Sequence, residues 1–485
     1  MITSTLVVLI VVHLILGGFD TLYHHEFKER LAWRPSQRKE VKLHGIRNLF
    51  YAVIYFCFGI LNPSGIFAVI FIAILLIEVG ITLVDFVEED KSRKLPVTER
   101  ILHTVLALSF GAILVLLVPR LWSNKALESA LNFQWLGAWS FLCCIAAVAA
   151  VFFAARDFHA AKRLSRIADK KPAMLIAPAS PEKHYLITGG TGFIGSKLVR
   201  TLSDAGYKIT VLTRHEKNGE HLPKAVTLIT SLDDISNDHK IDIVINLAGA
   251  TTARYWSAKH KEKMITSRID TTRGLVALIG RLRHKPELLI SGSAIGAYGI
   301  STDGQVDEDD SAKDESFSQQ LCLTWEAEAL RAANIGIRVV LLRTGMVLDI
   351  EDGPMSAMLI PTEFGGGAIL GDGKQIMSWI TRDDIIRAIA HIVATESIAG
   401  PVNAVSPAAV PNAEFTRTLA SALSRPTLVK FPKRVLAMLA GGFASEILLA
   451  SQHVEPTKLL NSGFVFSDDT LKNALNNMLA IEPTR

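Results

Sequence analysis

Cysteine is scarce in this chain, with four residues among 485. Cys57, Cys143 and Cys144 lie inside apolar stretches, and Cys322 stands alone in the second half of the sequence. This distribution offers neither the paired spacing of a disulfide framework nor the thiolate clusters of a zinc site. The sequence therefore argues against both kinds of cross-link.

The chain also lacks a strong excess of charge of either sign. It has 51 lysine and arginine residues and 47 aspartate and glutamate residues, which gives a formal net charge of +4. The basic residues gather in short segments between apolar stretches, so the small excess indicates membrane topology and no nucleic-acid-binding surface. Internal repeats and low-complexity tracts are absent as well.

Apolar residues, by contrast, are abundant and unevenly placed. They make up 49% of the chain, the mean hydropathy is +0.31, and they concentrate before residue 160. Stretches of about 20 apolar residues are long enough to cross a bilayer. Five such stretches lie near residues 2–22, 45–62, 65–86, 99–119 and 134–155. We therefore predict an α-helical membrane bundle over residues 1–160, followed by a linker over 161–182.

The basic residues predict how this bundle is oriented. Segments 26–47 and 87–100 and the segment after the fifth stretch are rich in lysine and arginine, whereas 62–65 and 120–133 hold few. Positively charged loops stay on the cytoplasmic side. We expect a protein of the inner or plasma membrane, with its N-terminus outside and its C-terminal domain cytoplasmic. The first stretch lacks a basic n-region and a clear cleavage site, which favours a retained span.

Histidine and carboxylate residues gather at the predicted cytoplasmic ends of the spans. Asp20 with His24, and Glu99 with His103, have the i, i+4 spacing that puts both side chains on one helix face. Imidazole and carboxylate groups from several helices of a bundle can hold a metal. The candidate ligands are Asp20, His24, His44, Glu78, Glu99 and His103. The alternative is that these groups are solvated, cap helices or pair with arginine.

A glycine-rich loop opens the second half of the chain. The apolar run from His184 to Thr188 predicts a strand, and the amphipathic run after Gly195 predicts a helix. Gly189 permits a tight turn, Gly192 lets backbone approach a pyrophosphate, and Gly195 lets the helix pack close to the strand. Free N–H groups at the helix start would then face the phosphates. The predicted dinucleotide-binding residues of this loop are Gly189, Thr191, Gly192, Phe193, Ile194 and Gly195.

The following segments alternate between strands and helices, which predicts a Rossmann-like doubly wound parallel sheet. The second strand leads to Arg214, with no acid until Glu216 to bind the ribose hydroxyls of NAD. An arginine there can pair with a 2′-phosphate, so NADP(H) is favoured over NAD(H); a solvated Arg214 is the alternative. A later strand runs into Leu247, Ala248 and Gly249, and small residues at a strand end suit close approach of the cofactor.

Several separated motifs resemble the extended short-chain dehydrogenase/reductase superfamily. They are Thr188–Gly195, Asn246–Ala250, Ser293–Gly299 and Arg343–Gly345. Further segments, among them Cys322–Glu326 and Val402–Pro407, resemble the sugar-nucleotide-epimerase-like family with its characteristic C-terminal domain. The resemblance implies an NAD(P)-binding Rossmann-like domain over 183–400 and a small C-terminal epimerase-like subdomain over 401–485. It also implies hydride transfer on a carbonyl or sugar-type substrate.

One catalytic feature of that superfamily is missing here. Its active members use a Tyr-x-x-x-Lys pair, in which tyrosine is the acid/base and lysine lowers its pKa. In this chain Cys322 and Glu326 stand in those positions, and a carboxylate cannot replace the lysine cation. The resemblance places Ser293 at the superfamily's catalytic serine, and Tyr298 is a substitute acid. The alternative for both residues is a structural role.

Three functions are compatible with these observations. The first is a membrane-anchored, NADP(H)-binding epimerase or reductase acting by hydride transfer. The second is a non-catalytic NADP(H) sensor coupled to the membrane domain, which the missing Tyr/Lys pair motivates. The third is a redox membrane enzyme in which NADPH supplies electrons to a metal at the helix ends. All three involve a dinucleotide and a lipid bilayer and none a nucleic acid; the sequence specifies neither substrate nor oligomeric state.

Overall fold

The structure is a computed structural model that describes residues 3–169, 175–176, 183–311 and 314–481. The chain folds into two compact units, Met1–Lys171 and Pro172–Arg485. Within the linker predicted over 161–182, residues 161–169 continue a helix. Residues 170–174 and 177–182 of that linker lie outside the described residues.

Five long helices build the described part of the N-terminal unit. They are α1 Ser4–Phe19, α2 Arg38–Ile60, α3 Ile66–Ser92, α4 Val97–Asn124 and α5 Ala138–Asp169. By length and composition, all five helical segments are able to cross a membrane, α1 together with the turns that follow it. The last four helices continue past the predicted apolar stretches, because backbone hydrogen bonding runs on through polar residues that hydropathy does not register. Two short strands, β1 Leu61–Pro63 and β2 Leu131–Phe133, pair antiparallel between helices.

The helices of this unit present apolar side chains both inward and outward. An inner cluster includes Leu6, Ile54, Leu75, Ile113 and Leu121, each at most 1% exposed. Outward-facing Val8, Ile15, Leu108, Val115 and Val148 are each at least 60% exposed. Such an extensive apolar exterior marks a surface that contacts another apolar phase or partner.

The C-terminal unit alternates strands and helices. Its strands are β3 His184–Thr188, β4 Lys208–Leu212, β5 Thr227–Ile229, β6 Ile243–Asn246, β7 Leu288–Ala294, β8 Ser301–Val306, β9 Arg338–Thr344, β10 Met346–Leu348, β11 Ala368–Leu370, β12 Ile376–Met377, β13 Trp379–Thr381, β14 Gly400–Ala404, β15 Val410–Pro411, β16 Val429–Phe431 and β17 Ser451–Val454. Its helices are α6 Phe193–Asp204, α7 Ala258–Arg281, α8 Phe317–Leu330, α9 Gly353–Glu363, α10 Arg382–Ala394, α11 Asn412–Ala422, α12 Lys433–Phe443, α13 Thr457–Asn461 and α14 Leu471–Leu479.

Seven of these strands form one parallel sheet in the order β5-β4-β3-β6-β7-β9-β14. Both faces of its central strands are buried, as apolar runs such as Leu186–Ile187 and Leu288–Ile290 require. The chain builds outward from β3 to β5, then returns to β6 on the other side of β3. This reversal is the switch point beside which Rossmann-like sheets bind dinucleotides.

The smaller strands pair outside the main sheet. The pairs are β8 with β17, β10 with β13, β11 with β16, and β12 with β15. Three of them join segments 301–306 and 368–377 to later parts of the chain, and the fourth joins 346–348 to 379–381. The main sheet ends with β14, which begins at Gly400 and pairs with β9. The segment expected as a separate subdomain, 401–485, thus supplies most of one strand of the central sheet.

Candidate functional site

The glycine loop connects β3 to α6 at the switch point. Gly189 has a φ of +71°, and a Cβ atom there would lie 2.5 Å from the backbone carbonyl of Leu247, so glycine is required. Gly192 is the N-cap of α6, and its N–H donates to the Gly189 carbonyl at 2.9 Å. A Cβ atom on Gly195 would collide with that same carbonyl. The loop therefore keeps side chains away from the start of α6, as the close approach of an anion to a helix N-terminus requires.

Thr191, Phe193 and Ile194 complete this loop, and all three are half-buried. The Arg382 guanidinium lies 4.8 Å from the centre of the Phe193 ring. Its Nη2 also donates to Ser196 Oγ at 3.0 Å. These contacts tie the first turn of α6 to the start of α10 and hold the loop in place.

The segment Leu247–Gly249 follows β6 on the other side of the switch point. The Leu247 N–H donates to the Thr188 carbonyl at 3.0 Å, which anchors the segment to β3. Below it, Thr188 Oγ1 donates to Asn246 Oδ1 at 2.6 Å, and Asn246 Nδ2 donates to Thr272 Oγ1 at 2.8 Å. These buried bonds bring the two predicted cofactor segments side by side.

Arg214 lies two residues beyond the end of β4, and its side chain is exposed. Within the described residues its guanidinium makes no ion pair or hydrogen bond with a protein group. It is therefore available to an anionic ligand at this edge of the crevice.

Ser293 and Glu326 meet in a buried charged network. Ser293 Oγ donates to Glu326 Oε1 at 2.6 Å. Arg343 holds the same carboxylate through two bonds of 2.9 Å, from Nε and Nη2. Glu326, in the position of the superfamily's lysine, is thus neutralised by Arg343 from β9. Arg343 was not among the predicted site residues. Two features of the sequence could have identified it: a buried carboxylate at position 326 needs a cation, and Arg343 begins one of the motifs that resemble the superfamily.

Cys322 and Tyr298 lie beside this network. Burial raises the pKa of Cys322 to about 11, with the Glu326 carboxylate adding to the shift, so its side chain is a neutral thiol at physiological pH. Burial also raises the pKa of Tyr298. The Tyr298 hydroxyl donates to Asn403 Oδ1 at 2.8 Å, and the Arg343 guanidinium lies 4.8 Å from its ring centre. Both side chains are therefore protonated groups, able to donate a proton.

Arg268 on α7 faces the segment after β6. Its Nη1 donates to the carbonyls of Ala250 and Met264, each at 3.1 Å. The guanidinium lies 5.1 Å from the Trp325 ring centre, and burial lowers its pKa. No carboxylate among the described residues forms an ion pair with it. A positioned, unneutralised cation beside the crevice suits an anionic ligand.

The predicted metal ligands of the N-terminal unit lie in a second buried group, here called the imidazole–carboxylate cluster. Its members are Asp20, His24, His25, Glu40, His44, Arg47, Glu78, Asp85, Glu89, Arg93, Glu99 and His103. Two sets of its ligand atoms lie within 4.8 Å of one another: Asp20, His25, Glu99 and His103, and His25, His44 and Glu89.

The structure separates some predicted ligands from these sets. His24 Nδ1 bonds Asp20 Oδ1 at 2.9 Å and belongs to neither set. Glu78 accepts a bond from Thr82 and lies 3.9 Å from Arg47. His25 and Glu89 belong to the sets, although they were not among the predicted ligands. The signal for Glu89 was its i, i+4 spacing from Asp85; for His25 it was the neighbouring His24 in the wide turn Asp20–Lys28.

Comparison with known proteins supports the fold. Residues 185–404 match the NAD dependent epimerase/dehydratase family, and residues 431–478 match a domain of unknown function, DUF1731. Epimerase family protein SERP0438 of Staphylococcus epidermidis is 37% identical over 298 residues, which cover 61% of this chain and 99% of that protein. Epimerase family protein YfhF of Bacillus subtilis is 33% identical over 302 residues, covering 61% and 98%.

A solved structure gives the same result. Human epimerase family protein SDR39U1, determined with NADPH, is 29% identical, with a TM-score of 0.56 and coverage of 62% of this chain and 100% of that one. Residues 185–404, which match the family, contain the glycine loop, the strands of the main sheet and the Ser293–Glu326–Arg343 network. This chain therefore belongs to the NAD-dependent epimerase/dehydratase family and carries the C-terminal DUF1731 domain.

Proposed function

We propose that the C-terminal unit binds NADP(H) and transfers hydride to or from a sugar-nucleotide or related carbonyl substrate. The observation that carries this proposal is the glycine loop, which opens the start of α6 beside the switch point of the sheet. The exposed, unneutralised Arg214 beyond β4 favours the 2′-phosphate of NADP(H) over NAD(H). The NADPH in the human relative's structure supports the same cofactor.

The proposed substrate end of the site lies around Ser293. Because the Ser293 hydroxyl donates its proton to Glu326, the lone pairs of Ser293 Oγ remain to accept a hydrogen bond from a substrate hydroxyl. Tyr298 and Cys322 are the candidate proton donors, because both are protonated at neutral pH. Glu326 acts as a positioning residue, and Arg268 is the cation for a substrate phosphate. Hydride would pass between the nicotinamide and the carbon that bears the reacting oxygen.

We also propose that the N-terminal unit is an integral membrane domain of the inner or plasma membrane. Five helical segments long enough to cross a bilayer and an exposed apolar exterior support this. The basic connections favour an external N-terminus and a cytoplasmic C-terminal unit. In this organisation residues 1–160 form the membrane domain, 161–182 the linker, 183–400 the cofactor domain and 401–485 the subdomain.

The cofactor proposal is tested by titrating the purified full chain, in detergent, with NADPH and NADH and following nicotinamide fluorescence. We expect NADPH to bind more tightly. Arg214→Ala should weaken NADPH binding by about 10–100-fold, the loss of one or two charge-assisted bonds, and leave NADH binding nearly unchanged. Arg283→Ala, at an exposed arginine paired with Asp238, is the matched control. Equal affinity of wild type and Arg214→Ala for NADPH would contradict the assignment.

A second candidate, the non-catalytic sensor, is favoured by the engagement of Glu326. Glu326 accepts two hydrogen bonds from Arg343 and one from Ser293. A carboxylate held in this way does not supply the positive charge that lysine supplies in the superfamily's active members. A screen of nucleotide sugars with the NADPH-saturated protein separates the two candidates. Substrate-dependent oxidation of NADPH or formation of an epimer supports the enzyme. Tight NADPH binding with no turnover of any sugar supports the sensor.

A further inference from the structure

The N-terminal unit buries a group of carboxylates that outnumber the guanidinium groups in contact with them. Six carboxylates of the imidazole–carboxylate cluster are each at most 5% exposed: Asp20, Glu40, Glu78, Asp85, Glu89 and Glu99. Two guanidinium groups contact them, since Arg93 joins Glu40 to Glu99 and Arg47 contacts Asp85 and Glu78. Asp20 and Glu89 contact no guanidinium group and face imidazoles instead: Asp20 those of His24, His25 and His103, and Glu89 those of His44 and His103. Buried carboxylates are stable only when paired or when they coordinate metals.

Four ligand atoms of this cluster lie within 4.8 Å of one another. Asp20 Oδ2 lies 2.9 Å from His103 Nε2 and 3.4 Å from His25 Nε2. The same His25 atom lies 3.7 Å from Glu99 Oε1. Neighbouring ligand atoms around a divalent metal, each at about 2.1 Å from it, are about 3.0–3.4 Å apart in octahedral or tetrahedral geometry. The ligand atoms of Asp20, His25, His103 and Glu99 would therefore need to move only slightly to coordinate an ion.

Unpartnered atoms point to a ligand at this position. His25 is 9% exposed, and its Nε2 atom is buried and makes no hydrogen bond with the described residues. The Nε2 atom of His44 likewise makes no hydrogen bond with the described residues, although it lies 3.3 Å from Asp85 Oδ2. The His44 ring is stacked on that of His25 with 4.4 Å between centres. Buried polar atoms normally have a partner. A metal ion held jointly by the imidazole nitrogen and the carboxylate oxygens would supply that partner.

The groups behind these atoms hold them in orientation. His103 Nδ1 lies 3.2 Å from Glu89 Oε2, on the opposite side of the ring from Asp20. Asp20 Oδ1 is hydrogen-bonded to His24 Nδ1, and its other oxygen, Oδ2, faces the two other histidines, His25 and His103. A carboxylate behind a ligating histidine is the usual support of metal-bound imidazole. Glu99 is held by Arg93 through both carboxylate oxygens.

A cavity lies on the open side of these ligand atoms. It has a volume of about 470 Å³, and Asp20, His25, His44 and His103 contribute to its wall. Apolar residues of the bundle, such as Leu106 and Phe110, form another part of that wall. The cavity leaves room for water or another small ligand to complete the coordination of an ion.

From these observations we propose that the N-terminal unit binds a divalent transition-metal ion through Asp20, His25 and His103, with Glu99 as a fourth ligand. Mixed imidazole and carboxylate donors with an open position suit Fe²⁺, Mn²⁺ or Zn²⁺ better than Mg²⁺ or Ca²⁺. Glu89 is a positioning residue that acts through His103. This site lies entirely within the N-terminal unit and goes beyond the proposed dinucleotide function.

Cobalt(II) provides a direct test, because its visible absorption reports the ligand set. The full chain in detergent is stripped with a chelator and titrated with Co²⁺, and bound metal is counted by mass spectrometry. We expect about one ion per chain at this single site. His103→Gln and Asp20→Asn should weaken binding by about 100-fold or more, and Glu89→Gln by about 10–100-fold. His13→Gln, at a buried histidine of the cavity wall outside both ligand sets, should bind Co²⁺ as the wild type does.

The helical circular dichroism of each variant shows whether it is folded. The wild-type titration decides the question even where a variant fails to fold: absence of stoichiometric Co²⁺ binding overturns the proposal. Unchanged affinity in folded Asp20→Asn and His103→Gln overturns it as well. NADPH titration of the same samples is a separate readout, so failure of the metal site and failure of the cofactor site are distinguished.

Discussion

The two units bury ionisable groups in different ways. In the C-terminal unit, Glu326 meets one arginine through two parallel bonds, so the buried charges balance within the chain. In the imidazole–carboxylate cluster of the N-terminal unit, six carboxylates share two arginines and four histidines, and Nε2 atoms of two of these histidines have no hydrogen-bond partner among the described residues. The first arrangement is complete as it stands, whereas the second depends on imidazoles, which can carry a proton or bind the metal ion proposed above.

This difference teaches what each network does. A balanced buried pair holds elements together, here α8 to β9, and loses stability when either partner is removed. Carboxylates that outnumber the guanidinium groups around them are costly to bury unless imidazoles or a bound metal ion compensate their charge. Three measurements test this contrast, beginning with the largest expected effect.

Removing one partner of the balanced network should cost most. Glu326→Ala leaves the buried Arg343 charge unpaired, and we expect the free energy of unfolding to fall by about 3–5 kcal/mol. Urea unfolding of the full chain, monitored by the protease susceptibility of the C-terminal unit, measures this loss of stability. Glu328→Ala, two residues further along and paired with exposed Arg331, should cost about 0–1 kcal/mol. Equal losses in the two variants would remove the contrast between buried and surface pairs.

His184 tests a balanced group that is neutral. Burial lowers its pKa to about 4, its Nδ1–H donates to the Lys240 carbonyl, and its Nε2 accepts from Thr210 Oγ1. Because the pKa is near 6.5 when the chain is unfolded, the neutral side chain's contribution is fully present above pH 6.5. It is lost as the pH falls towards 4, and the loss reaches about 3 kcal/mol.

The same urea assay across this pH range measures the effect. His184→Gln should flatten the decline in stability between pH 6.5 and 4, whereas His215→Gln, at an exposed histidine, should leave the decline as in the wild type. A decline that is identical in His184→Gln and wild type would assign the pH dependence to other groups.

The imidazole–carboxylate cluster should respond least. In metal-free protein, Glu89→Gln keeps the size of a side chain that faces His44 and His103 but removes its charge, so the free energy of unfolding should fall by about 1–2 kcal/mol, less than for Glu326→Ala. Adding Co²⁺ should raise the melting temperature of the wild type more than that of the variant. Glu88→Gln, at the half-buried neighbour near Lys39, is the control. Strong destabilisation of metal-free Glu89→Gln would show that this cluster, too, is balanced.

Much of the dinucleotide fold was predictable because it depends on local constraints. The turn at Gly189 and the contact at Gly195 exclude side chains whatever surrounds them, and apolar runs with alternating helices require a parallel sheet. The extent of the sheet was not predictable from such signals. Strand β14 pairs with β9 through residues 60 positions apart in the chain, such as Gly400 and Val340, a pairing that long-range packing decides.

The charged sites show the limit of spacing arguments. The i, i+4 spacing places Asp20 and His24 in contact, through Oδ1 of Asp20. The spacing cannot show that the other oxygen, Oδ2, faces His25 and His103. Those distances depend on the wide turn after α1 and on how α1, α3 and α4 pack. Similarly, nothing local to Glu326 identifies Arg343 as its partner, because the two residues lie on different elements.

The sequence by itself therefore determined the glycine loop, the family and the apolar segments, because each depends on residues close together in the chain. Only the tertiary structure decided which charges balance. It paired Glu326 with Arg343 and left the imidazole–carboxylate cluster with more carboxylates than guanidinium groups. The physical reason is that charge compensation acts through space over a few ångströms, between atoms that the chain brings together only when it folds.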